Sequence, residues 1–536
     1  MAVTHDVIVV GSGMSGAHAA QTLVEAGRRV LMLDVGTRET RYAGLVPERD
    51  FLAVRESDED QHRYFLGDDF EGIPWGPAAP SLTPPRRYLT AGTERWCPVR
   101  ADGFAALESL CYGGLGSGWG AGCAVYPRVE LEAMGLVPGA IAEAYRVVAG
   151  RIGVVSRRDD ATPYCSEGLA SPSEPLRMDT SIGLLHAAYK RRRPRLAARG
   201  LVMGKDPMAV LTRPLGERGA TPYTDMEFWA DHEGAVYRPW MTVDALRRSD
   251  GFAYEPGWFA LSFGESADQV EVRARAVEGG GDRAFSARRL VLACGALGTA
   301  RIVLRSLPGP GRLPLLTNPY AIAACLHPRM LGRVLERDRT SLGQLEMFHD
   351  PRGDRLGARM VSLYTYRSLL LFKLVKEAPL ALCDALPLLR ALSPALVLAT
   401  INHPDVPAEG KSCELVPDPD SATGDALRVA WAATPAEERE NAASERAILW
   451  GLRQLGCVPV KVQHLPPGSA VHYAGTLPFR DDEAPRSLAR DGRLAGTRRV
   501  HVADGSGFRY LPANGLSFTL MANAHLVARA LAAAEP

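Results

Sequence analysis

The stretch Asp6-Val-Ile-Val-Val-Gly11-Ser-Gly13-Met-Ser-Gly16, followed by Ala17–Gly27 and then Arg28-Arg-Val-Leu-Met-Leu-Asp34, decides the fold. An apolar run of strand length leads into Gly-x-Gly-x-x-Gly. A helical segment follows, then a second apolar run that ends on a carboxylate. Each part suits one end of a dinucleotide. Gly11 permits a tight turn, Gly13 lets backbone approach a pyrophosphate, and Gly16 lets the helix pack closely on the strand. The helix N-terminus offers free N–H groups and a positive dipole end to phosphate. Asp34 stands where a carboxylate takes ribose hydroxyls. The motif alone leaves NAD and FAD open, and its place near the N-terminus favours FAD.

The remaining composition fits a large globular protein. A chain of 536 residues exceeds one ordinary core, so two large domains are expected, interleaved in sequence. Hydrophobic residues make up 46% and charged residues 23%, as in soluble proteins. Lys+Arg at 62 against Asp+Glu at 61 gives a net charge of +1, which argues against nucleic-acid partners. The nine cysteines are scattered without a Cys-x-x-Cys pair, so no metal site is expected, and buried free thiols in a reducing cytoplasm are. No signal peptide is legible. The most apolar region, 368–401, is broken by charges and prolines and reads as interrupted core helices rather than a transmembrane segment. Composition leaves the oligomeric state, including a homo-oligomer, open.

Further along, residues 37–100 form an irregular excursion whose aromatics Tyr64, Phe65, Phe70 and Trp75 are expected to bury. Then Tyr112-Gly113-Gly114-Leu-Gly116-Ser117-Gly-Trp119-Gly120-Ala121-Gly122 lets backbone lie flat against something large and planar, or offers a nest of N–H groups. Trp119 and the flanking tyrosines argue against a solvent-exposed linker. Residues 141–151 and 180–200 read as helices. Residues 221–246 mix aromatics and acids, as a polar pocket lining would. A second strand-to-helix crossing, Leu290-Val-Leu-Ala-Cys294-Gly295-Ala-Leu-Gly-Thr299, belongs in the same parallel sheet as the first. Alternation over 359–366 and 427–431, with helical periodicity over 435–456, predicts an antiparallel sheet with covering helices.

The C-terminal part carries His472-Tyr-Ala-Gly-Thr, then Ala503-Asp504-Gly505-Ser506, and Asn514-Gly515-Leu-Ser-Phe-Thr519 before a last helix. With the earlier motifs in this order, the chain resembles the glucose–methanol–choline family of FAD-dependent oxidoreductases. The resemblance implies a doubly wound, Rossmann-like FAD-binding domain (1–135, 247–330 and 465–536). It also implies an interleaved α+β, antiparallel-sheet substrate domain (136–246 and 331–464). It implies FAD contacts from Gly11, Gly13, Ser15, Gly16 and Asp34, and from Gly113, Gly114, Gly116, Ser117, Trp119, Gly120 and Ala121. Further contacts are implied from Cys294, Gly295 and Thr299, and from Asp504, Gly505, Gly515 and Thr519. His472 matches the family's active-site histidine, and Asn514 its His-or-Asn partner. Two positions depart from the pattern: Asn-Gly stands at 514–515 where Asn-Pro is common, and Pro478-Phe479 replaces Arg-Met.

The implied reaction oxidises an alcohol to a carbonyl. A hydride passes from carbon to flavin N5, the hydroxyl proton passes to His472, and Asn514 orients the hydroxyl. The expected substrate is a small-molecule alcohol: a sugar, polyol or glycosylated natural product. Oxygen or a quinone-like compound is the electron acceptor. Flavin-assisted desaturation and a non-catalytic binding module are the alternatives on the same fold. No histidine falls in 113–122, which favours non-covalent FAD. His18, His327, His349, His403, His464 and His501 lack a matching context and are read as structural.

Overall fold

The computed structural model describes residues 5–71, 84–169, 171, 173–309, 311–365, 379–482 and 484–534. Its centre is a five-stranded, all-parallel sheet. The strand order is Val500–Val502, Arg289–Leu292, Val7–Val10, Val30–Leu33 and Phe252–Glu255. The two glycine-motif strands, Val7–Val10 and Val30–Leu33, pair in register with Val7 opposite Val30. Both are buried throughout, as a parallel sheet covered on both faces requires. One face packs Val7, Val9 and Val30 against the helix Met14–Glu25 and the C-terminal helix Ser517–Ala533. The other face packs Ile8, Val10 and Leu31 against the helix Gly295–Ser306 and a three-stranded antiparallel sheet within 258–287.

A six-stranded antiparallel sheet stands beside it. Its order is Val458–His464, Tyr320–Leu326, Leu396–Asn402, Arg359–Tyr364, Leu345–His349 and Leu201–Gly204. Along its inner strands the side chains alternate between two faces. Ala321, Ala323, Met347, Val361, Leu363, Val397, Ala399 and Ile401 form one apolar face. That face is closed by Leu185 of the helix Thr180–Ala197 and Ile448 and Leu452 of the helix Pro435–Leu455. The opposite face carries Tyr320, Glu346, Ser362, Tyr364, Thr400 and Asn402. Within it Ser362 sits opposite Glu346 on one side and Thr400 on the other.

Several elements depart from the expected arrangement. The strand Tyr320–Leu326 belongs to the six-stranded sheet, although the boundary at 330 places it with the parallel one. The helices Pro138–Ile152 and Pro239–Leu246 pack against the parallel-sheet layer: Tyr145 stacks on Phe518 at 4.8 Å, and Val243 shares a core with Ala17. The hairpin 412–430 joins a separate four-stranded sheet, tied to the helix Gly295–Ser306 by the Arg305–Asp425 ion pair at 2.5 Å. Phe70 is 53% exposed, whereas Tyr64 buries as expected. Trp75, the side chain of Phe65 and the first part of 368–401 lie outside the described residues. The rest of that apolar segment splits into a surface helix, Leu382–Leu392, and the buried strand Leu396–Asn402. No described helix is long and apolar enough to cross a membrane. All nine cysteines are free thiols, and most are buried.

The glycine turn is a steric requirement. A β-carbon on Gly16 would lie 1.8 Å from the Gly11 carbonyl oxygen, and one on Gly11, at φ +100°, would meet the Ala293 carbonyl at 2.8 Å. Strand, turn and helix therefore close only without side chains. Gly16→Ala is expected to destabilise the fold by about 1–3 kcal/mol or more. Gly281→Ala, where no atom lies within 4 Å, is expected to change little. Urea unfolding midpoints of the two variants test the contrast.

Candidate active site

A cavity of about 700 Å³ runs from the C-terminal ends of the parallel strands to the polar face of the six-stranded sheet. Three helices begin at its wall: Met14–Glu25 through Gly13, Met14 and Ser15, Gly295–Ser306 through Gly295 and Ala296, and Ser517–Ala533 through Gly515, Leu516 and Ser517. Their first N–H groups lack intrahelical partners and carry partial positive charge. Three such termini converging on one space make a site for a large, multiply anionic ligand. β-Carbons added at Gly120, Gly295 and Gly515 would meet no atom within 4 Å, so open space lies over backbone at three points of the wall or its edge. These features fit a dinucleotide cofactor.

At the glycine-turn end, Asp34 is half-buried, and desolvation pushes its carboxyl up to about 6. Its Oδ2 accepts from the Ser12 hydroxyl and, at 3.0 Å, from Tyr254. Ser12 Oγ in turn accepts from the Gly113 amide at 2.9 Å, which ties the turn to the small-residue run. Within that run, Gly114, Gly116, Trp119 and Gly120 line the cavity. Trp119 is fixed by its Nε1–H donating to the Tyr237 carbonyl at 2.7 Å. At Gly116 a β-carbon would meet Pro239 Cγ at 2.5 Å, so this glycine also serves packing.

Six of the expected cofactor contacts lie off the cavity wall, and each has another task. Gly16 packs on the Gly11 carbonyl. Gly113, at φ +86°, makes the turn before the run, and the Ser117 hydroxyl donates to the Tyr112 carbonyl at 2.7 Å. Ala121 is fully buried with φ +63°, a left-handed conformation that non-glycine residues rarely adopt. Thr519 shares a 2.6 Å hydrogen bond with Tyr145, inside the helix packing. Thr299 donates to Asp504 Oδ2 at 2.5 Å. Asp504 itself borders the cavity, but Ser506 also donates to its Oδ1 from the backbone N–H at 3.0 Å and the hydroxyl at 2.6 Å. Its carboxylate therefore chiefly organises the Gly505 turn. Cys294 and Gly505 line the wall, as do Gly11 and Gly13.

His472 lines the cavity, and its ring is fixed by a residue that no motif marks. Asn318 is fully buried directly after the short strand Leu316–Thr317, which pairs with Tyr473–Ala474. The Asn318 Nδ2 donates to the His403 carbonyl at 2.7 Å and the Pro512 carbonyl at 2.9 Å. With both its N–H groups spent, the amide presents Oδ1, an acceptor only, 2.8 Å from His472 Nδ1. Nδ1 must then carry the proton, and Nε2 keeps its lone pair. Burial lowers the imidazole pKa to about 4, which favours the neutral ring.

Asn514 does not join His472. Its Nδ2 donates to the Tyr164 carbonyl at 3.2 Å, and its side chain lines a separate, small cavity with Tyr164 and Glu130. The backbone here is held from a distant segment: the Tyr126 hydroxyl donates to the carbonyls of Asn514 and Gly515 at 3.1 and 3.0 Å. Gly515 lines the large cavity, and Asn514 lines the small one. The segment 221–246 is mainly scaffold. Asp225 pairs with Arg339, Glu227 accepts from Ser341 at 2.7 Å, and Phe228 reaches the cavity. None of the six histidines read as structural lines the cavity. Sequence reasoning also missed the polar row Glu346, Ser362, Thr400 and Asn402. Only the alternation of its strands hinted at a solvated or ligand-facing side.

Neither a protein-family model nor a curated protein matches the sequence. Solved structures match over nearly the whole chain. The pyridoxine 4-oxidase of Mesorbium loti is 16% identical with a TM-score of 0.56, covering 98% of this chain and 99% of its own. A variant formate oxidase of Aspergillus oryzae, studied for its FAD modification, is 12% identical with a TM-score of 0.62, covering 98% of both chains. The match along nearly the full length of each chain gives this protein the fold of these two oxidases.

Proposed function

We propose that this chain is an FAD-dependent alcohol oxidoreductase of the glucose–methanol–choline type. It oxidises a hydroxyl of a sugar, polyol or glycosylated small molecule to a carbonyl, with His472 as the base. One observation carries the reading: an imidazole of fixed tautomer lines the cavity on which three helix N-termini converge. The fold shared with two oxidases supports it and favours oxygen as the acceptor.

Bound FAD supplies the two-electron acceptor. Gly11, Gly13, Ser15 and Asp34 would hold its adenosine diphosphate end. Cys294, Gly295, Gly505, Gly515 and the start of the helix at Ser517 would hold its flavin end. The chain's own part is proton management. His472 Nε2 takes the hydroxyl proton, and Asn318 Oδ1 steadies the imidazolium through Nδ1–H. Asn318 acts through His472 and is a positioning residue. The apolar part of the wall, with Trp119, Phe228 and Met360, excludes water from the reacting atoms.

His472→Ala is expected to retain bound flavin and to lose about 10²–10⁴-fold in the rate of anaerobic flavin reduction by substrate. An unchanged single-turnover rate would refute the assignment. Asn318→Ala is expected to slow the same step by about ten-fold or more, because the ring loses the partner that sets its tautomer. The pH profile follows from burial. The active form is the neutral imidazole, so kcat/KM should rise with pH through about 4 and stay level from mildly acidic pH to neutrality. An acid limb centred near the ordinary histidine pKa would mean that the ring is solvated during turnover.

A further inference from the structure

The glycine-turn end of the cavity holds a tyrosine that the oxidation does not use and no motif marks. Tyr254 belongs to the edge strand Phe252–Glu255, where it pairs in register with Met32. Beyond that register the two segments stay joined. The Asp34 amide donates to the Glu255 carbonyl at 3.2 Å, and the Trp258 amide donates to the Asp34 carbonyl at 3.1 Å. The backbone of Asp34 is thereby held, and the Tyr254 phenol reaches its side chain at 3.0 Å. Gly36 makes room for that reach: its φ is +69°, and a β-carbon there would lie 2.3 Å from the phenol oxygen. The Tyr254 ring packs on Tyr112 at 5.1 Å. Tyr112 is itself anchored, by Arg38 over its ring at 3.9 Å and by donation to Asp244 at 2.8 Å. A ring so fixed has one direction for its hydroxyl.

The hydroxyls of Ser12 and Tyr254 donate to the same oxygen of Asp34, Oδ2. Oδ1 takes no side-chain donor among the described residues, and Asp34 lines the cavity. Two donors on one oxygen fix the rotation of the carboxyl and leave the other oxygen for a ligand. They also favour charge. Desolvation favours the neutral carboxyl, and the hydrogen bonds of Ser12 and Tyr254 oppose it, with the Ser12 and Val35 amides. The other titratable groups facing the carboxyl are the thiols of Cys111, ahead of the small-residue run, and Cys294, before the helix Gly295–Ser306. Burial keeps both protonated. Burial and the nearby Asp34 carboxyl keep the Tyr254 phenol protonated against the opposing pull of Arg38, so Tyr254 is the donor. No cation is among the main groups acting on Asp34.

We propose that Tyr254 is a positioning residue for cofactor capture: through Asp34 it presents one carboxylate oxygen, charged and fixed in direction, to the ribose hydroxyls of the adenosine end of FAD. The inference rests on the assignment of Asp34 to that ribose and adds the residue that sets its side chain. A hydroxyl donates strongly to a carboxylate and weakly to a protonated carboxyl. Ribose binding therefore favours the ionised form, and affinity for FAD falls as the pH drops through about 6, where Asp34 takes up a proton. Without the phenol, that fall moves toward neutral pH.

The test dilutes the flavin-loaded protein over a range of acidic to neutral pH and reads released FAD by the fluorescence of the free flavin. Release from the unaltered protein is expected to be level near neutrality and to grow as the pH falls through about 6. Tyr254→Phe keeps the ring and its packing. It is expected to weaken FAD binding about ten-fold or more at neutral pH and to move the rise in release to higher pH. Asp34→Asn is expected to remove the pH dependence, and Tyr254→Phe added to it is expected to cost little more. Unaltered release from Tyr254→Phe at every pH would overturn the inference. So would an equal loss on top of Asp34→Asn, since the ring would then act through packing. Release from the unaltered protein that ignores pH would overturn it as well, and that arm needs no variant. If Asp34→Asn holds FAD as well as the unaltered protein does, the ribose assignment falls and takes the inference with it. If Asp34→Asn weakens binding and Tyr254→Phe does not, only the role of Tyr254 falls. Anaerobic flavin reduction in FAD-saturated protein reads the oxidation separately from both.

Discussion

The contact between Gly16 and the carbonyl of Gly11 is the constraint on which the rest of the molecule depends. It leaves no room for a single methyl group, so the first strand, its turn and its helix lock at one distance. The strand Arg289–Leu292 pairs with the same first strand, and the Ala293 carbonyl at its end presses on Gly11 in turn. The strand Val500–Val502 extends the sheet and leads through Asp504 to the last helix. Segments far apart in sequence are thus delivered to one edge, and three helix N-termini meet there. The cofactor-sized cavity is the space that this convergence leaves.

A second layer of order holds His472. His472 rests on Asn318, and Asn318 rests on two backbone carbonyls. One of these, Pro512, lies just before the turn into the C-terminal helix. Asp405 braces the same region. It accepts from the Thr317 amide at 2.9 Å and pairs with the fully buried Lys411, which also donates to Glu437 at 2.6 Å. Asp405 and Leu511 exchange backbone hydrogen bonds at 2.8 and 3.0 Å. The ring is therefore positioned by a polar network whose members are themselves largely enclosed. Such a network costs desolvation and returns a defined orientation.

What the sequence disclosed follows the range of the interactions involved. The glycine turn, the small-residue run and the Cys294–Gly295 crossing are local in sequence, and their backbone demands are visible in residue type. The alternation at 359–364 likewise foretold a strand with two unlike faces. Asn318 was invisible, because an asparagine before a proline reads as a turn. Its role arises only when Thr317 pairs with Tyr473, across more than a hundred residues. Asn514 misled for the converse reason. Its side chain donates to the Tyr164 carbonyl, a partner from a segment 350 residues away that no local motif announces. The domain boundaries that the resemblance implies do not register that the helices at 138 and 239 bury their apolar faces on the dinucleotide layer.

The two-sided sheet has an evolutionary consequence. The residues packed under the covering helices, Leu345, Met347, Val361, Leu363, Val397, Ala399 and Ile401, occupy odd positions of their strands, while those that line the cavity occupy even ones. Mutation on one set changes what the enclosure recognises, and mutation on the other changes whether the chain folds, with little overlap between them. Change at 346, 362, 400 and 402 alters the cavity wall without touching the core packed under the covering helices. That separation suits a scaffold whose chemistry is held constant at one end while its clientele diverges at the other.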